Sequence, residues 1–85
     1  MSFTVEWLPS AERDLANLWT SSSDRAEIAA SADAIDEALA HDPLNAGEGR
    51  ARTTRILFLR PLAVLFDVDL RAQKVRVWDL WRWPP

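Results

Sequence analysis

The stretch RILFLRPLAVLFDVDLRAQKVRVWDLWRW, from Arg55 to Trp83, decides the fold of this 85-residue chain. The words RP and DLRAQ are turn signals that divide the stretch into apolar runs. We therefore predict three strands, which span Thr53–Arg60, Leu62–Val68 and Lys74–Trp81. Apolar residues fill both alternating positions of the first strand, so the sequence raises the question of what covers the second face of the sheet.

The N-terminal third predicts a strand followed by a helix. FTVEWL alternates apolar and polar residues, which is typical of a half-buried strand, and Pro9 stops it. Ser10 is placed to cap a helix, because it directly precedes an apolar stripe with helical spacing. The residues of that stripe are Ala11, Leu15, Leu18 and Ser22.

A second helix follows the interruption SSSD. Asp24 with Glu27 three residues later has the pattern of a capping box. The apolar stripe of this helix consists of Ile28, Ala32, Ile35 and Leu39. The helix runs to His41, and Pro43 ends it because the residue before a proline is driven out of helical geometry. LNAGEGRART then predicts a loop, and the whole chain, residues 1–85, predicts one α+β domain with two helices on one side of a small sheet.

Composition excludes several kinds of site. The chain has no cysteine and a single histidine, His41, so we predict no disulfide, no metal site and no cofactor. No stretch approaches the ~20 apolar residues of a membrane span, and the N-terminus lacks a signal-peptide pattern. We therefore expect a cytoplasmic protein that does not enter a membrane.

Charge divides the chain into two halves. Residues 1–42 contain two arginines and nine acids, a net charge of −7, whereas residues 43–85 contain eight bases and four acids, a net charge of +4. Such asymmetry is found in proteins that bind polyanions, and equally in small domains whose acidic helices attract their own basic strands.

The order of short words along the chain resembles one family. VEWLPSAERDL, a second helix ending in DP, GEGR, RILFLRPLAVLFDVD and KVRVWDLW follow one another as in the RelE/ParE superfamily of bacterial toxins. The resemblance runs from Val5 to Trp81, and the succession of words carries it. It implies a small antiparallel sheet with the two N-terminal helices packed on one face, and a toxin of a type II toxin–antitoxin pair whose partner is a cognate antitoxin.

The resemblance also implies which residues face outward. The side facing the helices is expected to contain Ile56, Phe58, Val64, Phe66, Val68, Val75 and Val77. The opposite side is expected to contain Arg55, Leu57, Leu59, Ala63, Leu65, Asp67, Arg76, Trp78, Leu80 and Arg82. We expect the antitoxin to cover this second side, with Trp78 as the anchor, through the six residues Leu57, Leu59, Leu65, Arg76, Trp78 and Leu80.

The chain departs from the RNA-cleaving members of this family. Those members resemble one another in basic residues on the first hairpin and in a later Arg and Tyr, whereas this chain has Leu57 and Ala63 at two such positions and no tyrosine. The remaining candidates for a catalytic set are Arg52, Arg55, Arg60 and Arg82. Cleavage of RNA requires groups that stabilise charge at the phosphate, so the usual arrangement is incomplete.

Three functions therefore stay open. The first is a non-nucleolytic toxin of the ParE kind, which acts on DNA gyrase or an unknown target. The second is a RelE-type, ribosome-dependent mRNA endonuclease that uses the four arginines. The third is a toxin fold retained as a protein-binding module. The sequence leaves open whether the chain forms homo-oligomers.

Overall fold

A computed structural model gives the fold and describes residues 2–85. The elements in chain order are β1 (Thr4–Trp7), α1 (Pro9–Ser21), α2 (Arg25–His41), α3 (Pro43–Ala46), β2 (Glu48–Ala51), β3 (Thr54–Leu59), β4 (Leu62–Asp69) and β5 (Lys74–Arg82). The strands form one five-stranded sheet in the order β1-β5-β4-β3-β2. The predicted α+β class is confirmed, and each predicted helix and strand is present with ends that differ by a few residues.

One pairing corrects the expectation of an antiparallel sheet. β1 runs parallel to β5, with Thr4 opposite Lys74 and Trp7 opposite Val77, so the sheet is mixed. Parallel neighbours need a long crossover connection, and α1 and α2 lie within the connection that leads from β1 to the other strands. The β3–β4–β5 meander is antiparallel, as predicted.

The predicted loop contains a short helix and a short strand. Pro43 is the first residue of α3, where the backbone N–H that proline lacks would have no partner within the helix. The Asn45 side-chain amide donates a hydrogen bond to the Asp42 carboxylate over 2.9 Å. β2 pairs antiparallel with β3. Gly47 joins α3 to β2, and a β-carbon there would collide with the Ile56 carbonyl, so close contact between loop and sheet requires glycine.

The core lies between the helices and one face of the sheet. The predicted helical stripes are confirmed except at one residue, since Ala11, Ile28, Ile35 and Leu39 are fully buried and Leu15, Leu18 and Ala32 pack against them. Ser22, the last predicted member of the first stripe, lies just beyond the end of α1, and its hydroxyl accepts a hydrogen bond from Arg82. The sheet contributes Leu62, Val64, Phe66, Val68, Val75, Val77 and Leu80 to this core.

The predicted orientation of β3 is wrong. Leu57 lies opposite Val64 and Leu59 lies opposite Leu62, and residues directly opposite one another point to the same side of a sheet. Leu57 and Leu59 therefore face the helices and pack against the core. By the same pairing, Ile56 and Phe58 lie opposite Leu65 and Ala63 on the other face.

A bulge in β5 changes the orientation of the end of the chain. Phe66 lies opposite Val77 and Leu65 opposite Asp79, so Trp78 has no partner on β4. The Ser10 hydroxyl, predicted as a helix cap, instead donates to the Trp78 carbonyl over 2.7 Å. Beyond the bulge, Leu80 lies opposite Val64 and is only 3% exposed, so its predicted place on the outer face is wrong.

Candidate partner-binding face

The sheet face turned away from the helices is named the open face. Its members follow from the strand register, and they are Thr4, Glu6, Glu48, Thr54, Ile56, Phe58, Ala63, Leu65, Asp67, Asp69, Lys74, Arg76, Asp79 and Trp81. All five strands contribute to this list, so the face is a continuous surface across the sheet.

One half of the open face is apolar. Ile56, Phe58, Leu65 and Trp81 are each half-buried, and Ala63 between Phe58 and Trp81 is fully buried. The chain end contributes to this burial, since the Trp83 ring lies 4.8 Å from the Phe58 ring, measured between centroids. The apolar half is therefore a packed aromatic surface.

The C-terminal residues are held against the turn between β3 and β4. The Trp83 amide donates to the Pro61 carbonyl over 2.9 Å. The Arg60 guanidinium lies over the Trp83 ring, 5.4 Å from its centroid, which is within the range of a cation–π contact. These contacts place a tryptophan and an arginine side by side at the edge of the apolar half.

The other half of the open face is charged. Arg76 lies between Glu6 and Asp67, at 3.8 and 3.9 Å, and Lys74 lies 3.8 Å from Glu6. All four side chains are 34–47% exposed, and ion pairs of this kind contribute little to stability because water and salt screen them. Their charges remain available to orient an approaching partner.

The fold has known counterparts. No protein-family model matches the sequence, and no curated protein matches it. A solved structure of the toxin–antitoxin complex RelBE2 from Mycobacterium tuberculosis is similar over 96% of this chain and 92% of its own, with 21% identity and a TM-score of 0.81. The chromosomal ParDE system from P. aeruginosa is similar over 95% and 96%, with 14% identity and a TM-score of 0.70.

The fold is also similar to that of the E. coli toxin RelE in the free state. That structure is of a mutant in which two arginines are replaced by alanine. It is similar over 96% of this chain and 84% of its own, with 17% identity and a TM-score of 0.66. The chain has a RelE/ParE-like toxin fold. This fold also occurs within a longer protein, because the chain matches 35% of TrmO from Pseudomonas aeruginosa, with 26% identity and a TM-score of 0.62.

Within this RelE/ParE-like fold, the four candidate catalytic arginines do not form one cluster. Arg52 lies in the turn before β3 and Arg60 in the turn after it, about 25 Å apart for an extended strand of that length. Arg55 lies opposite Phe66, whose side chain is in the core, so Arg55 is on the helix side and not on the open face as predicted.

Arg55 and Arg82 are engaged in structural contacts. An Nη of Arg55 donates to the Gly47 carbonyl, and its Nε is buried without a hydrogen-bond partner. Arg82, also on the helix side, makes two hydrogen bonds to Asp24, of 2.9 and 3.0 Å, and one of 2.8 Å to the Ser22 hydroxyl. The bond from Arg82 lowers the pKa of the Asp24 carboxyl, and in return raises the pKa of the guanidinium.

The contact with Arg82 also explains why the predicted capping box does not form. Asp24 is the N-terminal cap residue of α2, but its side chain makes no capping hydrogen bond. Its two carboxylate oxygens accept from Arg82 instead. The salt bridge therefore fastens the last strand to the turn between α1 and α2.

Three of the six predicted partner contacts lie on or beside the open face, and the other three face the core. Leu65 and Arg76 lie on the open face, and Trp78 is 38% exposed at the bulge beside it. Leu57, Leu59 and Leu80 face the core and are removed from the candidate surface. The register adds Ile56 and Phe58, which sequence reasoning missed because the apolar residues of β3 occur on both faces. It also adds Trp81, which was missed because the bulge in β5 reverses the alternation beyond Trp78.

Other sequence features have no further role in this site. His41 is exposed at the end of α2. Within residues 2–85, no three His, Cys, Asp or Glu side chains gather closely enough to hold a metal ion. Each helix of the same range is too short or too polar to cross a bilayer.

Proposed function

We propose that the chain is the toxin of a type II toxin–antitoxin module, that it is ParE-like and non-nucleolytic, and that its antitoxin binds the open face. The likeness to chains of RelBE2, ParDE and RelE supports the toxin assignment. The separation of the four arginines is the observation that carries the non-nucleolytic part. In this proposal the protein acts in the cytoplasm, and its target is DNA gyrase or another cellular component rather than mRNA on the ribosome.

Phosphoryl chemistry needs several groups that act on one phosphate. Cations must converge within hydrogen-bond distance of the developing charge, and a proton donor must reach the leaving oxygen. Here Arg82 is paired with Asp24, Arg55 points to the helix side, and Arg52 and Arg60 lie at opposite ends of β3. The open face offers Arg76 and Lys74 beside Glu6 and Asp67, which reduces their attraction for a phosphate.

The open face has the composition of a protein-binding surface. Aromatic and aliphatic side chains at its apolar half are typical of the energetic centre of interfaces. The neighbouring charges are of both signs, so they favour a polypeptide that presents both acidic and basic side chains. A partner segment that crosses β3, β4 and β5 would cover both halves.

Expression in bacteria tests the toxin assignment. We expect the chain alone to slow growth, and co-expression of the small protein encoded beside it to restore growth. The measurement is colony formation and culture density after induction, with an empty vector as control. Normal growth, with the chain shown to be folded and abundant in the cells, would remove the toxin assignment.

A translating extract tests the mechanism separately. We expect the purified chain to leave mRNA uncut at the ribosomal A site, because the chain lacks a set of cations and a proton donor that converge on one phosphate. The loss of catalytic groups that act together lowers the rate by orders of magnitude. Primer extension on the mRNA gives the readout. Cleavage that disappears in the Arg52→Gln or Arg60→Gln variant would contradict this expectation and favour the endonuclease.

A binding module is the second candidate function. The match to about a third of TrmO shows that the same fold occurs as part of a longer chain. A binding module predicts a folded chain that associates with a partner without any effect on growth. The growth experiment therefore distinguishes it from a toxin.

A further inference from the structure

A groove runs between α1 and α2 on the side of the molecule opposite the open face. Two adjoining cavities of about 280 and 440 Å³ form it, and they share Glu12, Leu15, Ala32 and Asp33. Trp7 and Asp36 line one end, and Trp19, Thr20 and Ala29 line the other. The groove has no part in the proposed open-face interaction.

The floor of the groove is apolar, and its small residues leave open space between the two helices. Ala16, Ala29 and Ala32 line it with Leu15, and the larger Trp19 is 46% exposed at one end. The two walls run from Glu12 to Trp19 and from Ala29 to Asp36, eight residues each, and their ends are about 10 Å apart at the rise of a helix. This length accommodates two turns of a third helix.

The rim of the groove is acidic. Glu12, Asp33 and Asp36 are exposed carboxylates, and within residues 2–85 none of them forms an ion pair. Asp36 accepts a hydrogen bond of 2.9 Å from the Trp7 indole, which fixes the carboxylate at the end of the groove. At the far end, the Arg25 guanidinium stacks over the Trp19 ring, 4.7 Å from its centroid, and does not pair with the three carboxylates.

We infer that this groove is a second interaction surface, and that its three carboxylates select a basic amphipathic helix from a partner protein. Apolar residues of the partner at helical spacing cover Leu15 and the alanines, while its Lys or Arg side chains meet Glu12, Asp33 and Asp36. A partner helix with acidic flanks is rejected, because like charges would be brought together at a partly dehydrated rim. The inference is independent of the proposed toxin activity.

A pair of peptides tests the charge preference directly. Both are 16-residue helical peptides with leucines at positions 5, 8, 9 and 12, a design that follows helical spacing, and they differ only in lysines or glutamates beside that stripe. Titration calorimetry with the full chain measures the affinity of each. We expect the lysine peptide to bind at least about tenfold more tightly than the glutamate peptide, and added salt to reduce this difference.

Matched variants test which residues select the charge. Asp33→Asn should weaken binding of the lysine peptide about threefold. Glu27→Gln removes the same charge from the same helix outside the groove, so it should leave the affinity of that peptide unchanged. Ala32→Met should fill the groove and abolish binding, with circular dichroism to confirm the native fold. Equal binding of both peptides, no binding of either, or equal effects of Asp33→Asn and Glu27→Gln would overturn the inference.

Discussion

Replacement of Leu80 by alanine is expected to lower the free energy of unfolding by about 3 kcal/mol. The side chain is 3% exposed and belongs to the core between helices and sheet, so its loss leaves a cavity. A chain of this size has a total stability of roughly 5–10 kcal/mol, so the variant should lose a large part of it. Urea denaturation followed by circular dichroism measures the change.

The same substitution at Leu70 provides the control. Leu70 is 60% exposed in the turn between β4 and β5, so Leu70→Ala should change the free energy of unfolding by less than about 0.5 kcal/mol. If Leu80→Ala changes the free energy of unfolding as little as Leu70→Ala, Leu80 is not in the core. The side chains of β5 would then alternate without interruption through Trp78, which would contradict the bulge.

The second large effect concerns the proposed antitoxin. Trp78→Ala is expected to weaken antitoxin binding by about 2 kcal/mol or more, roughly a 30-fold rise in Kd. The bulge leaves Trp78 exposed next to Asp79 of the open face, where a large aromatic ring is available to a partner. Leu65→Ala, in the centre of the apolar half, should act in the same direction by about 1 kcal/mol.

Titration calorimetry with the protein encoded beside this chain gives both affinities. Arg71→Ala is the control, because Arg71 is exposed in the turn between β4 and β5 and should have little effect. Circular dichroism must first show that each variant keeps its fold. Unchanged affinity of both Trp78→Ala and Leu65→Ala would exclude the open face as the antitoxin site.

Sequence patterns predict the helices better than the strand orientations. The stripes of α1 and α2 are interrupted by polar residues at helical spacing, so only one face of each helix can be buried. In TRILFLR, by contrast, Ile56 and Phe58 are as apolar as Leu57 and Leu59, and either pair satisfies a buried face. The choice is made by the pairing with β4, which local sequence does not specify.

The bulge and the Asp24 salt bridge are tertiary features. Trp78 has no sequence signal that separates a bulge from regular alternation, and one inserted residue reverses the orientation of Leu80 and Arg82. Asp24 has the sequence of a helix cap, but its partner Arg82 is 58 residues away along the chain. The candidate site was therefore predicted in part: Leu65 and Arg76 from alternation, but not Ile56, Phe58 or Trp81.

The parallel pair β1 and β5 joins the two ends of the chain. Residues 4–7 pair with residues 74–77, so the sheet is completed only after β5 has been synthesised. Pairings between such distant segments form slowly because a large loop must be closed first. During translation, β1 therefore has no strand partner while α1 and α2 emerge. A chain truncated before β5 lacks the core residues Val75, Val77 and Leu80, and it also lacks four members of the open face, Lys74, Arg76, Asp79 and Trp81.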